Sequence, residues 1–89
     1  MDQAVAAFVE VIGLAQEDEH IEDDAARDLI KEAEEVAQKA AEGETDKAAE
    51  KIEELRAKLD ERTRAERVDP GLAQRLHAQI DDIERALGQ

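Results

Sequence analysis

The sequence predicts an all-α fold: a compact up-down four-helix bundle built from two tandem helix–turn–helix hairpins. Three observations carry this expectation. Good helix formers (Ala, Glu, Lys, Arg, Leu, Gln and Asp) dominate, while Gly occupies four positions and Pro one, too few for a turn-rich β fold. Apolar residues recur at alternating three- and four-residue spacing, the period of an amphipathic helix. The second half of the chain also repeats the first. A gapless shift of 47 residues superimposes Val5 on Ile52, Phe8 on Leu55, Ile12 on Leu59, Ile21 on Val68, Ala26 on Ala73 and Leu29 on Leu76. The same shift carries Ala33 onto Ile80, Val36 onto Ile83 and Ala40 onto Leu87. Helical periodicity alone could align one helix in this way, but not two helices and the loop between them. Neither hairpin can bury both of its faces alone, so the two are expected to stack as one domain over residues 1–89, with hairpins 1–43 and 44–89.

The first helix is expected from about Gln3 to Gln16, with Val5, Phe8, Val9 and Ile12 on one face and Gly13 weakening its end. The acidic stretch EDEHIEDD, Glu17 to Asp24, forms the turn. The second helix lies within Ile21 to Gly43. Its stripe is Ala26, Leu29, Ala33, Val36 and Ala40, its first turn is acidic at Asp23, Asp24 and Asp28, and Gly43 is its stop. Thr45 is the expected N-cap of the third helix, whose stripe is Ile52, Leu55 and Leu59 and whose outer face pairs Glu54 with Lys58. That helix fades through Arg62, Arg64 and Arg67. Asp69 and Pro70 then supply an N-cap and a first-turn proline for the fourth, which presents Leu72, Ala73, Leu76, Ile80, Ile83 and Leu87 and ends at Gly88.

A domain of 89 residues buries only roughly 60–65% of the surface its unfolded chain exposes, so the core is thin. There is no Cys, and hence no disulfide framework and no thiolate metal site. No apolar run reaches the length of a membrane span, and membrane insertion is not expected. The formal net charge of −13 is uneven. Residues 1–46 carry 15 acidic and 3 basic side chains, and residues 47–89 carry 10 and 9. Such a field repels nucleic acid and anionic lipid and attracts basic partners or cations. Met1 followed by Asp2 reads either as the start of a short cytosolic protein or as the edge of a domain cut from a longer one.

The residue types exclude most chemistry. A calcium loop starting at Asp18 fails, because its sixth residue is Asp23 rather than Gly and its twelfth is Leu29 rather than Glu. His20 and His77 are far apart, with no Cys to complete a zinc set, so no metal is expected. There is no Ser or Cys nucleophile, no phosphate-cradling Gly-rich loop and no pair of Glu-x-x-His motifs for a di-iron bundle. The expectation is a protein that is not an enzyme and that holds no cofactor.

One feature stands above this background. The first helix carries a second apolar seam, Ala4, Ala7, Val11 and Leu14, beside the Phe8 and Ile12 stripe. The repeat is an internal control, since the matching positions of the third helix are Lys51, Glu54, Lys58 and Glu61. Two readings follow: deeper packing of the first helix in its own bundle, or a docking face for a protein partner, a second subunit or the rest of a longer polypeptide.

Ile21, Ala26 and Leu29, followed by Gly43, Ala49, Ile52 and Leu55 and again by Val68, Ala73 and Leu76, form a pattern that resembles the FIMAH-type helical module. Actinobacteria place that module at the ends of secreted hydrolases and cell-surface proteins, and the pattern is also similar to the extracellular helical region of some actinobacterial serine/threonine kinases. The resemblance spans about Ile21 to Leu87. The first helix lies outside it, and EDEH precedes Ile21 where the family pattern has a small residue and Gly. The resemblance implies a non-catalytic accessory domain outside the cell, with no catalytic residues to transfer. Read without it, the chain is equally a cytoplasmic protein. Two other functions compete with an interaction module: an acidic inhibitor that mimics nucleic acid, drawn from the charge of the first half, and homodimerisation through the first helix.

Overall fold

The computed structural model describes residues 2–88. It contains four helices, α1 (Asp2–Glu17), α2 (Asp23–Ala41), α3 (Thr45–Arg64) and α4 (Pro70–Leu87), with no named strand among the described residues. Helix α1 packs on α2 and α4, and α3 packs on the same two, closing a ring of antiparallel neighbours with extents of 35 × 21 × 19 Å. The all-α, up-down bundle of two hairpins is the fold that the periodicity and the repeat predict. No helix among the described residues is long and apolar enough to cross a membrane.

The core follows the repeat. Val5, Phe8 and Ile12 of α1 are buried, as are Ile52, Leu55 and Leu59 of α3. Ala25, Ala26, Leu29, Ala33 and Val36 of α2 are matched 47 positions on by Leu72, Ala73, Leu76, Ile80 and Ile83 of α4, all buried. Every buried residue among those described is hydrophobic. At two of these positions the repeat changes size, with Leu72 and Ile80 of α4 standing where α2 has Ala25 and Ala33.

Loop geometry repeats as closely as packing. After α1, the Glu19 and His20 amides donate to the Gln16 and Ala15 carbonyls. After α3, the Glu66 and Arg67 amides donate to Thr63 and Arg62, at positions shifted by 47. Both are the αL helix stop that satisfies the last carbonyls of a helix. α2 ends in the same way, with Gly43 and Glu44 donating to Ala40 and Lys39. Gly43 takes φ +79° without strain, whereas Glu19 and Glu66 hold the same left-handed region at +61° and +63°.

The two loops meet at one end of the bundle. Ile21 and Val68 form an isolated antiparallel bridge, with the Glu22 amide donating to Arg67 O at 2.9 Å and the Asp69 amide donating to His20 O at 3.0 Å. Under the 47-residue shift each bond maps onto the other, so a pseudo-two-fold axis passes through the bridge.

Three local expectations differ in detail. Thr45 is the first residue of α3, and the N-cap is Glu44. Asp69 is the N-cap of α4 with Pro70 at its first position, yet its carboxylate makes no cap bond. It turns instead to His20, whose Nδ1 lies 2.5 Å from Asp69 Oδ2. Glu54 and Lys58 do not pair along α3: Glu54 takes Lys51 at 3.5 Å, and Lys58 crosses to Glu32 of α2 at 3.6 Å. A cross-helix partner removes more charge from competition with water than a flexible neighbour on the same helix.

Candidate functional site

The pseudo-two-fold makes the α2–α3 seam equivalent to the α4–α1 seam, so each serves as a control for the other. The first is closed by charge. Glu35 meets Lys51 at 3.5 Å, Glu32 meets Lys58 at 3.6 Å, and Asp28 meets Arg62 at 2.6 Å. The hydrogen bond from Arg62 holds the Asp28 carboxyl below its ordinary pKa, against a smaller opposing effect of partial desolvation and with added attraction from Arg62, Lys58 and Lys31. The same bond raises the Arg62 guanidinium. At Lys51, desolvation is the largest single influence and opposes the charge, but Glu35, Glu54 and Glu32 together outweigh it and raise the pKa.

The α4–α1 seam has none of these pairs. Ala15 stands where α3 has Arg62, Val11 where it has Lys58, and Ala4 where it has Lys51. Across the seam, Arg75 stands where α2 has Asp28. Ala15 is too short to reach over, and Arg75 has no ion-pair partner among the described residues. What remains is a groove of about 590 Å³ between the C-terminal half of α1 and the N-terminal turn of α4. Val11, Leu14, Ala15 and Leu72 give it an apolar floor, Pro70 and Gly71 form a wall, and Asp18, Arg75 and the His20–Asp69 pair form its rim.

The seam residues singled out from sequence divide between packing and groove. Ala4 and Val11 are half-buried and packed against the core, and Ala7 is half-buried. Leu14 is 54% exposed, the one exposed large hydrophobic among the described residues, and lies in the groove with Val11. Sequence reasoning missed the opposite wall: Leu72, Pro70, Gly71, Arg75 and the two loop residues. The signal was present as the substitution of Arg62 by Ala15 under the repeat, but its meaning depends on which helices are neighbours.

The acidic turn gives no cage for a cation. Asp24 is held by Arg67 at 2.6 Å, Asp23 accepts from Gln16, and Asp24 also accepts the Ala25 amide at the start of α2. Among the described residues no group of three or more His, Asp or Glu side chains could hold a metal ion. His77 meets Asp60 at 2.9 Å across the α3–α4 seam.

Fold and groove define a class first: a small all-α module with a surface cleft and no gathered set of reactive groups among the described residues. The family model described as the FIMAH domain matches residues 5–85, and the chain belongs to that family of non-catalytic accessory helical domains. The match reaches back over α1, which the sequence pattern starting at Ile21 left out. No curated protein and no solved structure matches the chain.

Proposed function

We propose that this FIMAH domain is a non-catalytic docking module that receives a protein segment, from a partner or from the rest of its own polypeptide, in the groove between α1 and α4. One observation carries the reading: of two pseudo-equivalent seams, one is closed by Asp28–Arg62 and the other is left open at Ala15 and Arg75, with Leu14 exposed beside it. Leu14 does not stand alone on the surface but adjoins Val11, Ala15 and Leu72 in one groove with an apolar floor, the shape that takes up an apolar segment. The absence of catalysis is supported by the accessory character of the family and by the solvated or paired state of the carboxylates around the groove.

A photo-crosslinking amino acid placed at position 14 in the natural full-length polypeptide tests the docking. Expected is a single crosslinked peptide segment from position 14, absent when the same group is placed at exposed position 50 on α3. Equal or absent crosslinking at both positions overturns the reading.

A further inference from the structure

We infer that the occupant of this groove is an amphipathic helix with an aliphatic ridge and a lysine- or arginine-rich flank; the inference rests on the docking reading above and adds the chemistry of the partner. Ala4, Ala7, Val11 and Leu14 follow each other at spacings of three, four and three. Ala4 and Val11 are packed in part against the bundle's own core, while Val11 and Leu14 line the groove, whose apolar floor between two helices is the kind of surface that receives the apolar face of a third helix. In the same register Gln3, Glu10 and Glu17 occupy the positions bordering the seam on its outer side, where interhelical ion pairs choose the partner. At about 100° per residue, Glu10 and Glu17 fall some 40–60° beyond Leu14, away from the core.

The charge on this border is unanswered. α1 contains no basic residue, and Glu10, Glu17, Asp18 and Glu19 have no ion-pair partner among the described residues. On α3 the border positions equivalent to Glu10, Glu17 and Asp18 are Ala57, Arg64 and Ala65, and the charge lies in the seam itself, on Lys51, Lys58 and Arg62, each engaged by α2. A second copy of this chain would set glutamate rows against each other on molecules of net charge −13 and is disfavoured by repulsion. A basic flank answers Glu10, Glu17 and Asp18 while its ridge covers Leu14 and Val11. Arg75, on the far wall, fixes the orientation: the basic flank lies over α1, and the side facing α4 is neutral or acidic.

The test uses three synthetic helical peptides of equal length with fluorescence anisotropy as readout. One has leucines on the ridge and lysines on one flank, a second has glutamates for the lysines, and a third keeps the lysines but has alanines on the ridge. The first is expected to bind at least about tenfold more tightly than the other two. Leu14→Glu should weaken it by about tenfold or more, and Glu17→Lys by about fivefold. Glu50→Lys, an equal charge change on α3, should cost less than about twofold. Circular dichroism confirms that each variant is folded. Equal binding of the lysine and glutamate peptides, with sensitivity to Leu14→Glu retained, overturns the basic partner and leaves docking standing. Binding indifferent to the ridge or to Leu14, or no binding at all, overturns both. Self-association in sedimentation equilibrium that Leu14→Glu abolishes makes the occupant a second copy and also overturns the proposal.

Discussion

Ile21 and Val68 are each other's counterparts in the repeat, and they also pair with each other. Their antiparallel bridge ties the α1–α2 loop to the α3–α4 loop through two backbone hydrogen bonds of 2.9 and 3.0 Å, with both side chains nearly fully buried. A residue that contacts its own symmetry mate lies on the axis, so the bridge marks where the two hairpins are joined. It also positions His20 and Asp69, and with them one end of the groove.

Because the two side chains cover each other, their truncations should not be independent. Ile21→Ala and Val68→Ala are each expected to cost about 1–4 kcal/mol, with a coupling of about 0.5 kcal/mol or more in the double mutant. Urea denaturation of the four members of the cycle measures it; strict additivity would refute the contact.

Glu19 and Glu66 occupy the left-handed position that Gly43 fills at the end of α2. A side chain there strains the backbone, whereas glycine adopts it freely. Glu66→Gly should therefore stabilise the fold by about 0.5–1 kcal/mol, and Glu66→Val, whose branched side chain is worst at positive φ, should destabilise it. Shifts of the urea midpoint in opposite directions are the expected result.

The Asp28–Arg62 bond makes a prediction about acid. Its hydrogen bond lowers the folded-state pKa of Asp28 below the ordinary value of 3.8. A depressed carboxyl contributes stability that is present above the unfolded pKa and lost as pH falls through the folded one. Between about pH 5 and pH 2 the wild type should lose this contribution, and Asp28→Asn should flatten that part of the stability–pH curve. Near neutral pH the variant should be the less stable of the two; parallel curves over the acid range would contradict the prediction.

Leu14 and Val11 should respond differently to charge although they are neighbours in the seam. Leu14 is 54% exposed and Val11 packs against the core. Leu14→Glu should leave stability within about 0.5 kcal/mol of wild type. Val11→Glu should cost about 1–3 kcal/mol, because it brings a carboxylate against apolar neighbours. Thermal unfolding followed by circular dichroism separates the two.

The open seam should also be closable. Ala15→Arg together with Arg75→Asp places in the α4–α1 seam the pair that Arg62 and Asp28 form in its twin. The double variant should remain folded and lose the crosslink from position 14, whereas Ala15→Arg alone, which sets two guanidinium groups against each other, should be the less stable. A retained crosslink in the folded double variant would place the docking elsewhere.

The sequence by itself determined the helices, their order, the core positions and the two-fold repeat. All of these follow from 3.6-residue periodicity and from local stop signals, which depend on neighbours a few residues away. The same local logic misled at Thr45 and at Glu54–Lys58, where a loop conformation and a cross-helix partner took precedence. It also marked α1 as unusual through Ala4, Ala7, Val11 and Leu14. Only the tertiary structure decided that Leu14 is exposed while Val11 packs inward, that the seam faces α4, and that Ala15 and Arg75 leave open the space that Arg62 and Asp28 close. Each of those facts depends on which residues distant in sequence become neighbours, as Arg62 and Asp28 do at a separation of 34 positions, and hydrophobic periodicity carries no information about that pairing.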